Sequence, residues 1–301
     1  MVIEKILDMK IAIGIPAYNE EKNIAGILIK LKKIAQDIIV CDDGSNDQTA
    51  KIAKELGAIV ISHERNLGYG AGIRTIFLKA KEINADVLVT FDADGQHRIE
   101  DLNTVIEPIK NDEADIVIGS RFLNDENKVP KYRKIGIKTI TSITNSSIGE
   151  KLSDSQSGFR AYNKKVLENI TPSESGMGVS TEILIKASKN KFRINEVPII
   201  ILYEGETSTH NPVSHGASVV LSTIKFTSIE HPLKFYGISG MFFLGLGLAF
   251  LFWTLQLFAE SGKIVTNISL IGIGGIVIGI VLLVTATILY SIISVVREKT
   301  K

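Results

Sequence analysis

Two long stretches near the carboxyl end of the chain carry no charged side chain, Tyr236 to Phe258 and Ile264 to Val296. Each exceeds the roughly 20 apolar residues needed to cross the hydrocarbon core of a bilayer. A buried hairpin in a soluble protein is the alternative. The glycines of Gly237-Ile-Ser-Gly-Met-Phe-Phe-Leu-Gly-Leu-Gly247 favour the membrane, where small residues let helices pack closely. Only Ala259-Glu260-Ser261-Gly262-Lys263 separates the runs, so two transmembrane helices are expected, about 236–258 and 266–296, in a membrane domain over 236–301. Both runs are too far along the chain to be a signal peptide, and Met-Val-Ile-Glu-Lys lacks a signal's basic-then-apolar order. Lys225 and Lys234 precede the hairpin, and Arg297, Lys299 and Lys301 follow it. The positive-inside rule then places both flanks, and the domain before them, in the cytoplasm.

A chain of 301 residues has room for one large domain besides this hairpin, expected over 1–211, with an interfacial segment at 212–235. From Lys10 to about Gly119, short β-branched runs alternate with amphipathic segments. The runs are Ile11–Ile15, Asp37–Cys41, Ala58–Ile61, Asp86–Phe91 and Asp115–Gly119, and between the first two, Ile24, Ile27, Leu28 and Leu31 keep helical spacing. Strand-helix alternation predicts an α/β fold, a mostly parallel sheet with helices on both faces. The single cysteine, Cys41, lies in an apolar run and reads as a core filler. Lys+Arg 34 against Asp+Glu 33 leaves a net charge of +1, so there is no basic field for nucleic acid.

Ligands of such sheets bind beyond the carboxyl ends of the strands, and polar residues gather there after each of the first four runs. The segments are Pro16-Ala-Tyr-Asn-Glu-Glu21, Asp42-Asp-Gly-Ser-Asn-Asp47, His63-Glu-Arg-Asn-Leu-Gly68 and Asp92-Ala-Asp-Gly-Gln-His97. One such loop is ordinary turn chemistry, whereas four on one rim argue for a site. Asp92 and Asp94 can aim two carboxylates at one hard cation, Mg2+ or Mn2+ on a diphosphate, with Gln96 and His97 within reach. Asp42, directly at a strand end, can accept hydrogen bonds from a base or ribose. Gly68-Tyr-Gly-Ala-Gly72 does not complete a dinucleotide fingerprint, because the third glycine position is Ile73; close packing of a helix start beneath a ligand is expected instead.

Pro16-Ala-Tyr-Asn-Glu-Glu, Asp42-Asp-Gly-Ser-Asn-Asp, Asn66-Leu-Gly-Tyr-Gly, Asp92-Ala-Asp-Gly-Gln, Gly119-Ser-Arg121 and Asp154-Ser-Gln-Ser-Gly-Phe-Arg160 occur in one order. That order resembles family 2 glycosyltransferases, in particular dolichyl-phosphate mannose synthases and related polyprenyl-phosphate hexosyltransferases, over about residues 9 to 205. The resemblance implies a GT-A fold and an inverting transfer from a nucleotide-sugar, GDP-mannose or UDP-glucose first and UDP-N-acetylglucosamine behind them. It further implies that Pro16, Tyr18, Glu20, Asp42, Asp43, Gly70, Asp92, Ala93 and Arg121 line the nucleotide-sugar, and that Asp92, Asp94 and Gln96 hold the metal. Arg133, Ser157 and Gly158 would lie at the acceptor, and Asp94, Arg121 and Arg133 would carry the catalysis.

The pattern also departs from the family. Glu196-Val-Pro198 leads into Tyr203-Glu-Gly-Glu-Thr-Ser-Thr-His-Asn211, where relatives often carry a basic residue and Gly-x-Ser-Lys, so His210 is a candidate replacement cation. A phosphate acceptor is largely ionised at neutral pH, its second pKa being about 6, so no strong base is needed and Glu182 is only a fallback. The mixed basic and apolar segment Lys131–Lys138 suits either the membrane surface or packing on the domain. A processive polysaccharide synthase is disfavoured, since its Gln-x-x-Arg-Trp element is missing and the only tryptophan is Trp253. A non-catalytic nucleotide-binding scaffold is the reading from another class, and the Gly272-x-Gly-Gly275-x-x-x-Gly279 face suits either an oligomer or packing of the hairpin on itself.

Overall fold

A computed structural model of the chain describes residues 9–124, 129–202, 228 and 232–299. His210 and most of the expected interfacial segment 212–235 therefore lie outside the described residues. The chain divides into two units, Met1–Thr223 and Ile224–Lys301.

In the first unit seven strands form one sheet: β1 (Ile11–Ala17), β2 (Asp37–Asp42), β3 (Ile59–Ser62), β4 (Val87–Thr90), β5 (Ile116–Ser120), β6 (Arg160–Asn163) and β7 (Ile194–Pro198). The helices are α1 (Ile24–Leu31), α2 (Thr49–Glu55), α3 (Tyr69–Glu82), α4 (Leu102–Lys110), α5 (Lys131–Ile148), α6 (Lys164–Asn169) and α7 (Val179–Lys189). The sheet order is β3-β2-β1-β4-β6-β5-β7, all neighbours being parallel except that β6 runs against both β4 and β5. Each of the five runs expected to be strands is one, so the predicted α/β sheet stands. The antiparallel β6, Arg-Ala-Tyr-Asn, has no apolar run to announce it.

The strand order fixes where a ligand can enter. From β1 the chain steps outward to β2 and β3, then returns to lay β4 on the other side of β1. The loops after β1 and β4 therefore leave in opposite directions and open a crevice at their carboxyl ends. Because β6 is antiparallel, it begins at that same rim, with its first residue, Arg160, opposite Thr90, the last of β4.

On one face of the sheet, Ile13, Ile15, Val40, Val87 and Val89 pack with Ile24, Leu28 and Leu31 of α1 and Leu102, Val105, Ile106 and Ile109 of α4. Neither helix has a side-chain N-cap bond. A cap is worth about 1 kcal/mol and each buried Leu or Ile roughly 1.5–3 kcal/mol, so burial of these stripes holds both helices in place. On the other face α3 lies close to β1 at Gly14, where a Cβ would collide with Cγ2 of Ile76. Cys41 is buried on β2 and burial pushes its thiol up to about 12, which makes it the inert core filler the sequence implies.

In the second unit α8 (Ile238–Ser261) follows a π-helical turn at Leu233–Gly237, and α9 (Thr266–Lys299) follows Gly262, which has a φ of +64°. The apolar stretches Leu233–Ser261 and Thr266–Ile293 have mean hydropathies of 1.9 and 2.7, and only 17% and 11% of their most apolar windows are buried. Helices so little covered are not a buried core of this chain. Both are long and apolar enough to cross a membrane, with side chains such as Phe242 and Leu255 facing outward. The glycines lie between the two helices: a Cβ on Gly247 would sit 2.5 Å from Ile276 N, and one on Gly279 would sit 2.6 Å from Leu244 N. Gly272 and Gly275 also meet α8, so the glycine face read as a possible oligomer surface packs the hairpin on itself, and Gly274 alone of that motif faces open space.

Candidate active site

The loops after β1 and β2 are stitched into one rim. Asn19, in the left-handed region at φ 57°, donates its N–H to Ser45 Oγ at 2.9 Å, and its Oδ1 accepts the Asn46 N–H at 2.9 Å. The Glu20 N–H reaches Thr49 Oγ1 at 2.8 Å and the Glu21 N–H reaches Asp47 Oδ2 at 3.1 Å. Tyr18 is exposed on this rim, and Pro16 lies above Gly72 of α3. Asp42 is buried; its Oδ1 accepts the Ser45 N–H at 3.2 Å, and its Oδ2 takes no hydrogen bond from a described residue.

Two residues expected to line the nucleotide-sugar do other work. Asp43 spends Oδ1 on His63 Nδ1 at 2.7 Å and the Leu67 N–H at 2.9 Å, and Oδ2 on the Gly68 N–H at 2.8 Å. It builds the turn into α3, and both of its oxygens are engaged in doing so. Gly70 donates its N–H to Ser175 O at 2.8 Å, and a Cβ there would overlap the backbone of Glu174, Ser175 and Gly176. Its smallness serves the 174–176 segment rather than a ligand.

The carboxylate pair sits where β4 ends, at the crevice. Asp92 Oδ1 accepts the Tyr69 hydroxyl at 3.2 Å and Oδ2 accepts His97 Nε2 at 3.1 Å. Asp94 Oδ1 accepts the Gln96 N–H at 3.0 Å. Burial pushes the Asp92 carboxyl up, but the His97 ring, the Tyr69 hydroxyl and the Arg121 guanidinium outweigh it and leave it below the usual carboxylate range. Burial, then the charge of Asp92, holds Asp94 above that range. Glu20 is raised as well, by burial first and then, against its bond from Asn23, by the charges of Asp94, Asp47 and Asp92. Carboxylates of the β1, β2 and β4 loops thus lie near enough to act on one another, Glu20 and Asp94 being raised by burial first and by neighbouring charge second, which makes this spot a candidate place for a cation. Ala93 between the two aspartates is buried in the core and can offer only its backbone. Among the described residues no group of three or more His, Cys, Asp or Glu side chains is arranged to hold a metal. Asp92 and Asp94 suffice for Mg2+ or Mn2+ only if ligand phosphates and water complete the shell, which is how such ions are commonly held.

The segment before β6 closes the crevice. Gly158, expected at the acceptor, lies instead against Asp92: a Cβ there would be 2.7 Å from Asp92 Oδ2 and 2.7 Å from the Tyr69 hydroxyl. The cause is Arg160, which is fully buried and draws the segment around itself, donating to the carbonyls of Ser157 at 2.8 Å, Ser180 at 3.0 Å and Ser155 at 2.7 Å. That winding also buries Ser157, whose Oγ has no partner among the described residues. Arg121 is clamped by the buried Asp154, Nε and Nη2 each donating at 2.7 Å, and Glu196 accepts the N–H groups of Ser153 and Asp154 at 2.7 and 2.8 Å. Arg133 lies in the first turn of α5.

Glu182 is neither a solvated helix residue nor an available base. It is 1% exposed, accepts the Ser173 and Glu174 N–H groups and the Ser173 hydroxyl, and pairs with Lys186 Nζ at 2.7 Å. Burial raises its carboxyl, but Lys186 and Ser173 lower it further than that, so it is held below its usual range. Its contribution to stability is therefore complete above the unfolded glutamate value of about 4.3 and is lost as pH falls through the lower folded value. Glu182→Ala should cost about 3 kcal/mol at neutral pH by stranding two amides and a lysine, and should flatten this acid dependence. Urea unfolding at two pH values checks both; an unchanged midpoint at neutral pH contradicts the assignment.

Tyr69, Asp154, Arg160 and Glu196 organise the site without having been singled out as site residues. Asp154 and Arg160 stood inside a quoted motif, which was the available signal. Tyr69 and Glu196 also stood inside quoted segments, Asn66-Leu-Gly-Tyr-Gly and Glu196-Val-Pro198, but a tyrosine at a helix start or a glutamate in a strand is ordinary, so neither was assigned a role.

Comparison with known proteins gives the family. The sequence model of glycosyl transferase family 2 matches residues 12–171. The chain is 39% identical over 236 residues, 71% of its length and 92% of the relative's, to the UDP-N-acetylglucosamine–dolichyl-phosphate N-acetylglucosaminyltransferase of Methanococcus voltae. It is 30% identical over 220 residues, 72% of its length and 93% of the relative's, to the dolichyl-phosphate hexose transferase of Haloferax volcanii. Glucosyl-3-phosphoglycerate synthase of Mycobacterium tuberculosis, solved with Mn2+, UDP-glucose and phosphoglyceric acid, shares the fold at a TM-score of 0.59 and 18% identity, covering 75% of this chain and 82% of that one. With the family match running from β1 past β6 across both aspartates, the chain belongs to glycosyl transferase family 2 and is a glycosyltransferase.

Proposed function

We propose that the chain transfers a hexose or N-acetylhexosamine, with inversion, from a nucleotide-sugar to a polyprenyl phosphate such as dolichyl phosphate, at the cytoplasmic face of a membrane crossed by α8 and α9. The observation that carries this reading is the placement of the carboxylates Asp92 and Asp94 directly after β4, at the switch point of the sheet. The names of the Methanococcus and Haloferax relatives support the lipid-phosphate acceptor, and the apolar hairpin supports a membrane address for it. UDP-N-acetylglucosamine stands beside GDP-mannose and UDP-glucose as a donor, since the Methanococcus relative is named for it.

Tyr18, Glu20 and Asp42 bind the base and ribose, Asp42 through its unused Oδ2. Asp92, Asp94 and Gln96 would hold Mg2+ or Mn2+, as the Mn2+ and UDP-glucose in the related fold suggest. When bound, the ion supplies charge neutralisation for the departing nucleoside diphosphate. The acceptor oxygen is already ionised, so the protein's task is to hold two anions together, and Arg133 is assigned to the acceptor phosphate. Arg121, clamped by Asp154, adds fixed positive charge that is felt at Asp92.

Transfer of radiolabelled sugar from each of the three donors to a short polyprenyl phosphate, with Mn2+ or with EDTA, tests the reading. A lipid-linked product from one donor that EDTA abolishes is expected. Nucleotide binding without any transfer would favour the non-catalytic scaffold.

A further inference from the structure

Asp92 is gripped from three sides. Tyr69 donates to Oδ1, His97 Nε2 donates to Oδ2, and Gly158 lies so near that only a missing side chain leaves room. A carboxylate only accepts hydrogen bonds, so His97 carries a proton on Nε2. Its Nδ1 is buried with no partner among the described residues, so the ring is oriented by packing and by Asp92 alone. Phe91 and Phe159 supply that packing, with ring centroids 5.6 and 5.0 Å away, and the His97 side chain is 7% exposed.

Tyr69 is fixed through its backbone. It is the first residue of α3, and the Gly68 N–H before it is held by Asp43, itself tied to His63. The Gly70 and Ala71 N–H groups after it both reach Ser175 O, at 2.8 and 3.3 Å. A network of backbone and side-chain hydrogen bonds thus ends in one hydroxyl aimed at Asp92. Asp94 contrasts with this, its carboxylate taking only the Gln96 N–H from the described residues.

The geometry points to Tyr69 and His97 as positioning residues that fix the Asp92 carboxylate by both oxygens before donor or cation arrives, leaving Asp94 as the ligand that adapts. This rests on the reading of Asp92 and Asp94 as the donor and metal site. Partners that hold a metal-binding carboxylate typically cost 10–100-fold in metal affinity when removed, whereas residues that merely fill space do not.

The test is a Mn2+ titration of the full chain in detergent, once with saturating UDP and once with saturating GDP, reading unbound Mn2+ by its paramagnetic resonance signal. Wild type should bind and Asp94→Ala should not. Tyr69→Phe, which keeps the ring, and His97→Ala should each weaken Mn2+ about tenfold or more with the melting temperature held. His97→Gln, whose amide can donate from near the Nε2 position, should recover most of the loss. In transfer assays Tyr69→Phe should raise the Mn2+ concentration needed for activation while keeping most of kcat at saturating Mn2+. Tyr69→Phe and His97→Ala binding Mn2+ as tightly as wild type would overturn the proposal and leave the metal reading intact. So would weakening that merely follows a fall in melting temperature in every variant, His97→Gln included. Failure of wild type to bind Mn2+ with either nucleotide would overturn the metal reading and this proposal with it.

Discussion

Asp94→Asn should lower kcat/KM for sugar transfer about a thousandfold while leaving the protein as stable as wild type or more so. The activity loss follows from the role proposed for Asp94, since removing one preorganised electrostatic partner of a reaction costs about 10²–10³ in rate and the other carboxylate cannot replace it. The stability effect follows from sign. Burial and the charge of Asp92 hold the Asp94 carboxyl above its unfolded value. A carboxyl raised on folding opposes the folded state at every pH where the unfolded chain is ionised, so removing the charge relieves the native state. A function-bearing residue that costs stability is the usual trade at active sites. Transfer assays and thermal melts on the two proteins check both halves. Retention of a tenth of wild-type activity would remove Asp94 from the mechanism, and a large fall in melting temperature would contradict its electrostatic position.

Much of this architecture was legible in the sequence, for a physical reason. β-branched runs such as Asp37–Cys41 and apolar stripes such as Ile24, Ile27, Leu28 and Leu31 are local patterns, and β1 to β5, α1 and the two apolar helices follow from them. The carboxylates Asp92 and Asp94 were legible because a strand end places its loop on the rim whatever the rest of the sheet does. What escaped depends on contacts between distant segments. Nothing local to Arg160 says that it is wholly buried and capped by the carbonyls of Ser155, Ser157 and Ser180. Without that knowledge Ser157 and Gly158 read as acceptor residues rather than as a loop wound onto a buried cation. Asp43 is a similar case: its neighbour Asp42 keeps an oxygen open, and only the fold shows that Asp43 holds His63, Leu67 and Gly68. Motifs thus marked the segments that make the site, and the division between residues that face a ligand and residues that hold them required the three-dimensional contacts.

Gly158→Ala should reduce transfer about a hundredfold in a protein that still folds. The added Cβ would stand 2.7 Å from Asp92 Oδ2, 2.7 Å from the Tyr69 hydroxyl and 3.0 Å from Asp92 Oδ1, so something must move. Gly158 is not among the glycines with positive φ, so alanine can adopt its backbone conformation and the cost is confined to the contact. Side chains give way before backbone, and the one in the way is the carboxylate that the site is built around. A displacement on the order of 1 Å at such a group is enough for about a 10²-fold loss of rate. Gly70→Ala is the informative contrast, because its Cβ would meet the backbone of Glu174, Ser175 and Gly176, which cannot swing aside. It should therefore lower the melting temperature, and its activity should fall only as far as folded protein is lost. Measured side by side, the two substitutions separate packing from chemistry: Gly158→Ala retaining near wild-type transfer would mean that the placement of Asp92 does not limit the reaction, and Gly70→Ala losing transfer at full stability would return Gly70 to the ligand.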